Sequence, residues 1–160
     1  MENLYDVIII GGGIAANTAA VYTARANMNP LVISGPELDQ LSLTTTVENF
    51  PGFPEGVQGP ELTNNSKKQA QKFGAKYIES LVESFQKKGK NFEIGTKNGK
   101  KYEARTIIIC TGASARKLGI FGEDKYFGKG VSTCAVCDAA LYRDKKVVVA
   151  GGGDSAMEEA

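Results

Sequence analysis

Tyr5-Asp6-Val7-Ile8-Ile9-Ile10-Gly11-Gly12-Gly13-Ile14-Ala15-Ala16 is the stretch on which the reading of this chain turns. Val7 to Ile10 is an unbroken β-branched run, the pattern of a strand buried on both faces. Three glycines end it, and an alanine-rich segment from Ile14 to Asn27 predicts a helix, stopped by Asn29-Pro30. Leu31 to Ser34 predicts a second short strand, closed by Gly35-Pro36. Strand, glycine turn, helix and strand within about thirty residues form the first unit of a Rossmann-type sheet.

The turn itself carries chemistry. Gly11-x-Gly13-x-x-Ala16 supplies a tight turn, a backbone without a side chain in the way, and a small residue for close helix–strand packing. The phosphates of a dinucleotide sit well at such a helix N-terminus, where unpaired N–H groups and the helix dipole favour negative charge. The ribose-binding acid of this motif falls about 20 residues further on. Ser34 occupies that place here, with Glu37 and Asp39 just beyond. A hydroxyl holds one ribose oxygen where a carboxylate holds two.

Ser34 to Pro60 is a long irregular segment with a threonine run (Thr44, Thr45, Thr46) and the stretch Glu48-Asn49-Phe50-Pro51-Gly52-Phe53-Pro54. Its aromatic residues and prolines predict a rigid functional loop. A polar-faced helix is expected over Glu61–Phe73 and a strand over Ala75–Glu79. Strand character then returns at Phe85, over Asn91–Thr96 and over Lys101–Arg105, the last two joined by an Asn98-Gly99 hairpin turn. Thr106–Cys110 predicts another buried strand, with Cys110 a buried bystander, followed by Thr111-Gly112. Glycine-rich, charged Ser114–Gly130 reads as a linker. Lys146–Ala150 predicts a further buried strand leading into Gly151-x-Gly153-x-x-Ala156, a second copy of the first motif. This copy ends at Ala160 with roughly half of the thirty residues or so that a complete unit needs. The expectation is therefore a chain cut short.

Between the two turns lies Cys134-Ala135-Val136-Cys137-Asp138. Cysteines so spaced close a small disulfide ring at little loop-closure cost, and such pairs often have a depressed thiol pKa. They exchange electrons with other dithiols through a mixed disulfide. Two blander readings stand beside this one: half a zinc site, or two inert buried cysteines. The zinc reading needs two more ligands in a chain with no histidine and only Cys110 besides. The absence of histidine also leaves proton transfer to carboxylate, thiol, Lys or Tyr, which makes Asp138 the candidate acid. Two nucleotide turns flanking one disulfide suggest an electron relay.

Composition excludes several alternatives. Nineteen basic against eighteen acidic residues give a net charge of +1, no electrostatic case for nucleic acid or an anionic membrane. The apolar runs are too short to span a bilayer. Met1-Glu2-Asn3 lacks the basic start of a signal peptide. Three cysteines, an odd number, do not suggest a secreted disulfide framework. The expectation is a soluble cytoplasmic protein.

Thr18-Ala19-Ala20, Ala24-Arg25-Ala26, Val47–Pro54, Thr111–Arg116, Gly130-Val131-Ser132, Cys134–Asp138 and Gly151–Ala160 together resemble the N-terminal half of the low-molecular-weight thioredoxin reductases, flavoprotein disulfide reductases. The resemblance runs from Tyr5 to Ala160. It implies an α/β, Rossmann-type three-layer fold with a small β-meander: an FAD-binding domain over residues 1–115, then a linker, the redox pair and the start of an NADPH-binding domain over 116–160. It implies FAD contacts from Gly11, Gly13, Ile14, Ala15, Ser34, Gly35, Gln40, Leu41, Asn49, Thr111 and Gly112, and the opening of an NADPH site at Gly151, Gly153, Asp154, Ser155 and Ala156. Cys134 and Cys137 would be the redox pair, Asp138 the acid that protonates the outgoing thiolate, thioredoxin the partner, and a homodimer the full-length assembly. The 160-residue chain alone is expected to be inactive. Departures from the family pattern are Ile14 for a proline, Leu38-Asp39 for a Gly-Gly, Ala139 for a glycine and Phe121 for a proline. Of these, Leu38-Asp39 bears on the flavin contacts. Two rival functions share these motifs: a flavoprotein serving a peroxiredoxin or other dithiol carrier, and a non-catalytic FAD-binding fold.

Overall fold

Val7 and Ile9 point to one face of a sheet, Ile8 and Ile10 to the other, and all four are buried. That double burial is what the β-branched run required. In the computed structural model, which describes residues 4–160, this strand is β1 (Leu4–Ile10). The chain forms two compact units, the first comprising residues up to Thr46 and Val57–Ser114, the second Val47–Gly56 and Ala115–Ala160.

The first unit is built on one six-stranded sheet, in the order β5-β2-β1-β8-β7-β6. Helix α1 (Ile14–Arg25) follows β1 and leads to β2 (Pro30–Ser34). Two-residue strands β3 (Thr46–Val47) and β4 (Val57–Gln58) mark where the chain leaves and rejoins this unit. Helix α2 (Gly59–Lys72) and strands β5 (Lys76–Glu79), β6 (Val82–Lys88), β7 (Asn91–Thr96) and β8 (Lys101–Ile109) complete it. Strands β5, β2, β1 and β8 run parallel, whereas β6, β7 and β8 form an antiparallel meander.

The apolar residues make two cores. On one, Val7, Ile9 and Val32 of the sheet join Ala16, Ala20, Val21 and Ala24 of α1 and Ala70 of α2. Alanines at these positions let α1 lie close to the strands. On the other, Ile8, Ile10, Leu31 and Ile33 join Ile94 and Ala104 of the meander. Helices, parallel sheet and meander are thus the three layers.

Several boundaries differ from expectation. Helix α1 stops at Arg25 because Asn27 adopts a left-handed conformation (φ 57°), two residues before Asn29-Pro30. Lys101–Arg105 and Thr106–Cys110 do not form two strands; Lys101–Ile109 is the single β8, which pairs with β7 over Lys101–Ala104 and with β1 over Glu103–Ile109. Beyond Ala104, β8 has no second neighbour among the described residues, so its end is not buried: Ile109 is 60% exposed and Cys110 only half-buried.

In the second unit, the expected linker is partly folded. Glu123 opens α3 (Glu123–Tyr126) and is buried, its carboxylate accepting the N–H groups of Leu118 and Gly119 at 2.9 and 2.7 Å. Helix α4 (Ala135–Asp138) carries the second cysteine, a 3₁₀ turn (Ala139–Tyr142) follows, and α5 (Asp154–Glu158) ends the described chain. The strand expected at Lys146–Ala150 does not form, and Val148 is 93% exposed. A strand exists only through its neighbours' hydrogen bonds, and no described residue pairs with this segment.

Candidate functional site

The parallel pairing of β2, β1 and β8 brings three chain segments to one edge of the sheet. Ile10 stands opposite Ile33 on one side and Ile109 on the other. Just past them, the Gly11 N–H donates to Ile33 O at 2.9 Å and the Cys110 N–H to Ile10 O at 2.7 Å. The glycine turn, Ser34-Gly35 and Thr111-Gly112 therefore follow the carboxyl ends of adjacent strands, where ligands bind in open α/β sheets.

Each glycine of the turn has a reason. Gly11 has φ +129°, strained for any side chain. A Cβ on Gly12 would lie 2.7 Å from Ser34 Cβ, and one on Gly13 would lie 3.3 Å from Asp39 Cβ. Gly13 is the N-cap residue of α1, with Ile14 and Ala15 in its first turn. No side chain caps this end, and the first N–H groups of a helix have no partner within it. This cradle of bare backbone fits a pyrophosphate. Ser34 ends β2, and its hydroxyl donates to Ile78 O at 3.3 Å.

Gln40 and Leu41 lie in a turn ordered by Asp39. Its Oδ1 accepts the Leu41 N–H at 3.0 Å and the Ser42 N–H at 3.1 Å. Asp39 thus orders the turn that carries Gln40 and Leu41. Asn49 belongs to the second unit. Beyond the ends of β2 and β5, an open cleft of about 370 Å³ is lined by Pro36, Glu79, Ser80, Leu81, Lys97 and Asn98.

Sequence reasoning missed Asn17. It is fully buried, and its amide donates to Gly12 O at 3.3 Å while Oδ1 accepts the Tyr77 hydroxyl at 2.8 Å. A lone Asn among the alanines of a buried helix face was the available signal. Burial pushes the Tyr77 phenol up to about 12. Burial likewise raises the Cys110 thiol, which disfavours its reactive thiolate.

In the second unit, Cys134 and Cys137 are joined in a disulfide, with Cα atoms 5.3 Å apart. Cys134 precedes α4 in an extended conformation, and the single helical turn brings Cys137 back to it. Ser132, also missed, ties the site together. Its Oγ accepts the Cys134 N–H at 3.1 Å and donates to Asp138 Oδ2 at 2.6 Å, while the Asp138 N–H donates to Cys134 O at 3.1 Å. The Asp138 carboxylate is thereby tied through Ser132 to the backbone of Cys134. Among the described residues no group of three or more His, Cys, Asp and Glu side chains could hold a metal ion. Gly151 has φ +145°, and Gly153 caps the five-residue α5, which begins Asp154-Ser155-Ala156. These five residues form a turn and a helix start without the strand expected before them.

A parallel sheet with a bare glycine turn places the chain among the open α/β folds whose glycine turns suit a dinucleotide, and here it is accompanied by a Cys-x-x-Cys disulfide. The chain belongs to the pyridine nucleotide-disulphide oxidoreductase family, whose profile matches residues 5–160. It is 48% identical to the thioredoxin reductase of Bacillus subtilis, covering 99% of this chain and 50% of that one. It is 46% identical to a bifunctional thioredoxin reductase/thioredoxin of Mycobacterium leprae, covering 99% of this chain and 35% of the relative. Among solved structures, the thioredoxin reductase of Streptococcus pyogenes superposes with a TM-score of 0.93 at 42% identity, over 100% of this chain and 52% of the other. The chain spans about half the length of the reductase relatives it matches. Among the described residues, no helix is long and apolar enough to cross a membrane.

Proposed function

We propose that this sequence serves an NADPH-dependent thioredoxin-disulfide reductase, in which electrons pass from NADPH through FAD to the Cys134–Cys137 disulfide and on to thioredoxin. The observation that carries it is the formed disulfide with Asp138 held beside it by Ser132, on a chain that also carries a bare dinucleotide turn.

Flavin, when bound, supplies the conversion of a two-electron hydride donor into a reductant for a disulfide. The first unit's task is to hold it. Gly11, Gly13, Ile14 and Ala15 would present backbone N–H groups to the pyrophosphate, and Ser34 and Gly35 would meet the ribose. The cleft at Pro36, Glu79–Leu81, Lys97 and Asn98 would receive the adenine end, and Gln40, Leu41, Thr111 and Gly112 would complete the site. Gly151, Gly153, Asp154, Ser155 and Ala156 would open the NADPH site.

Reduction of Cys134–Cys137 takes two electrons and two protons and gives two thiols. Asp138 moves a proton to the outgoing sulfur. One cysteine, as thiolate, then attacks a sulfur of the thioredoxin disulfide, whose other sulfur leaves. The second cysteine attacks the mixed disulfide, restores Cys134–Cys137 and releases reduced thioredoxin. The thioredoxin fused to the M. leprae relative supports this partner. A cytoplasmic homodimer completes the proposal.

The test is an absorption spectrum of the whole polypeptide that carries this sequence. Flavin bands that bleach with NADPH and recover with oxidised thioredoxin are expected. A colourless protein that takes up no added FAD, or flavin recovery with a peroxiredoxin but not with thioredoxin, would overturn it.

A further inference from the structure

Asp39 makes more contacts than its place in a surface turn requires. Besides the Leu41 and Ser42 N–H groups, its carboxylate accepts the Ser42 hydroxyl at 2.8 Å and the Thr63 hydroxyl of α2 at 3.1 Å. Four donors of the protein thus converge on this carboxylate, three on Oδ1 and one on Oδ2. Thr63 also reaches Asn17, the residue behind the nucleotide turn. Its carbonyl lies 3.5 Å from the Asn17 amide, the same amide that donates to Gly12 O. Asp39 Cβ meanwhile fills the space beside Gly13.

One polar chain therefore runs from the 39–42 turn through Asp39 and Thr63 to Asn17 and the glycine turn. We propose that Asp39 and Thr63 are positioning residues for the flavin site: they fix the turn bearing Gln40 and Leu41 against the start of α1. The inference rests on the flavoprotein reading. Two opposed effects meet at Asp39. A carboxylate near a pyrophosphate repels it, whereas a clamped turn lowers the ordering cost of binding. Four protein donors converge on the carboxylate and offset part of its charge, and the clamp dominates.

The experiment compares Asp39→Ala, Thr63→Val, the double variant and Thr63→Ser in the whole polypeptide. FAD affinity is followed by flavin fluorescence, and amide exchange at Leu41 and Ser42 is followed in the flavin-free protein. Asp39→Ala and Thr63→Val should each weaken FAD about tenfold, the scale of a lost hydrogen bond to a charged group. The double variant should be no worse than Asp39→Ala, since Thr63 acts through Asp39. Thr63→Ser, which keeps the hydroxyl, should bind as the parent does. Exchange at Leu41 and Ser42 should quicken in Asp39→Ala and Thr63→Val, with the β1 amides unchanged. Unaltered or tighter FAD binding in both single variants overturns the role of Asp39 and Thr63 alone, as does weaker binding with Leu41 and Ser42 still protected. A parent protein that binds no FAD overturns instead the flavoprotein reading beneath it.

Discussion

Asp138 stands beside a disulfide in a chain that has no histidine, and Ser132 fixes its orientation through one short hydrogen bond. Removing the acid while keeping its shape should slow the dithiol step. Asp138→Asn should lower thioredoxin reduction by about 10²–10⁴-fold, the usual worth of a general acid or base, with flavin content unchanged. Ser132→Ala frees the carboxylate to rotate and should cause a smaller loss in the same step, seen in rapid-reaction traces of flavin reoxidation. Equal rates in Asp138→Asn and parent would remove Asp138 from the mechanism. Tyr77 sets a second test at this scale. Burial raises its phenol from 10.0 to about 12, so between those values the unfolded chain loses the proton and the folded one keeps it. Its contribution to stability is full below about pH 10 and is lost as pH rises toward 12. Tyr77→Phe should flatten that alkaline fall in denaturant titrations, although it also takes the hydroxyl from Asn17. A fall as steep as the parent's would show that Tyr77 is not its source.

At the scale of elements, the β1–α1 turn works because β2 leaves it no room. A methyl on Gly12 meets Ser34 Cβ at 2.7 Å, with Ser34 Cα next at 3.6 Å. Gly12→Ala should therefore cost about 1–3 kcal/mol of stability, the range for overpacking, and weaken FAD. Ser34→Gly in the same chain should recover most of that stability, because it deletes the atom in the way. Thermal unfolding of the four proteins gives the answer, and an additive double variant would place the strain elsewhere. This unit was legible from sequence because strand, turn and helix are neighbours in the chain. The single β8 was not, since its length is set by two different partners, β7 and β1, and a hydrophobicity pattern contains no partner. Val147–Val149 was misread for the same reason: a β-branched run states a preference, but a neighbour makes the strand. Asp39 read as a departure from a glycine pattern, and only the position of Thr63, 24 residues on, shows it to be a clamp.

At the scale of the molecule, the two glycine turns are not equivalent. The first is held by a strand on either side of β1, by α1 along one face and by Asn17 behind Gly12. The second has α5 after it but no strand before it, and the valines that precede it are exposed. Preorganisation is what lets a turn bind a pyrophosphate, because the N–H groups must already point at one place before the ligand arrives. A 160-residue polypeptide with this structure should therefore not oxidise NADPH at a steady rate. Its exposed Val147, Val148, Leu118, Ile120 and Phe121 should also favour self-association. The disulfide should nevertheless survive in it, since Cys134, Cys137, Ser132 and Asp138 lie within one short segment and depend on local bonds. Thiol counting on residues 1–160 should find one free cysteine, rising to three after chemical reduction. NADPH absorbance, followed with FAD and thioredoxin present, should stay flat over the same sample. Steady turnover would mean that the second turn is ordered by contacts other than a sheet, and that the dithiol receives electrons without the remaining length seen in the relatives.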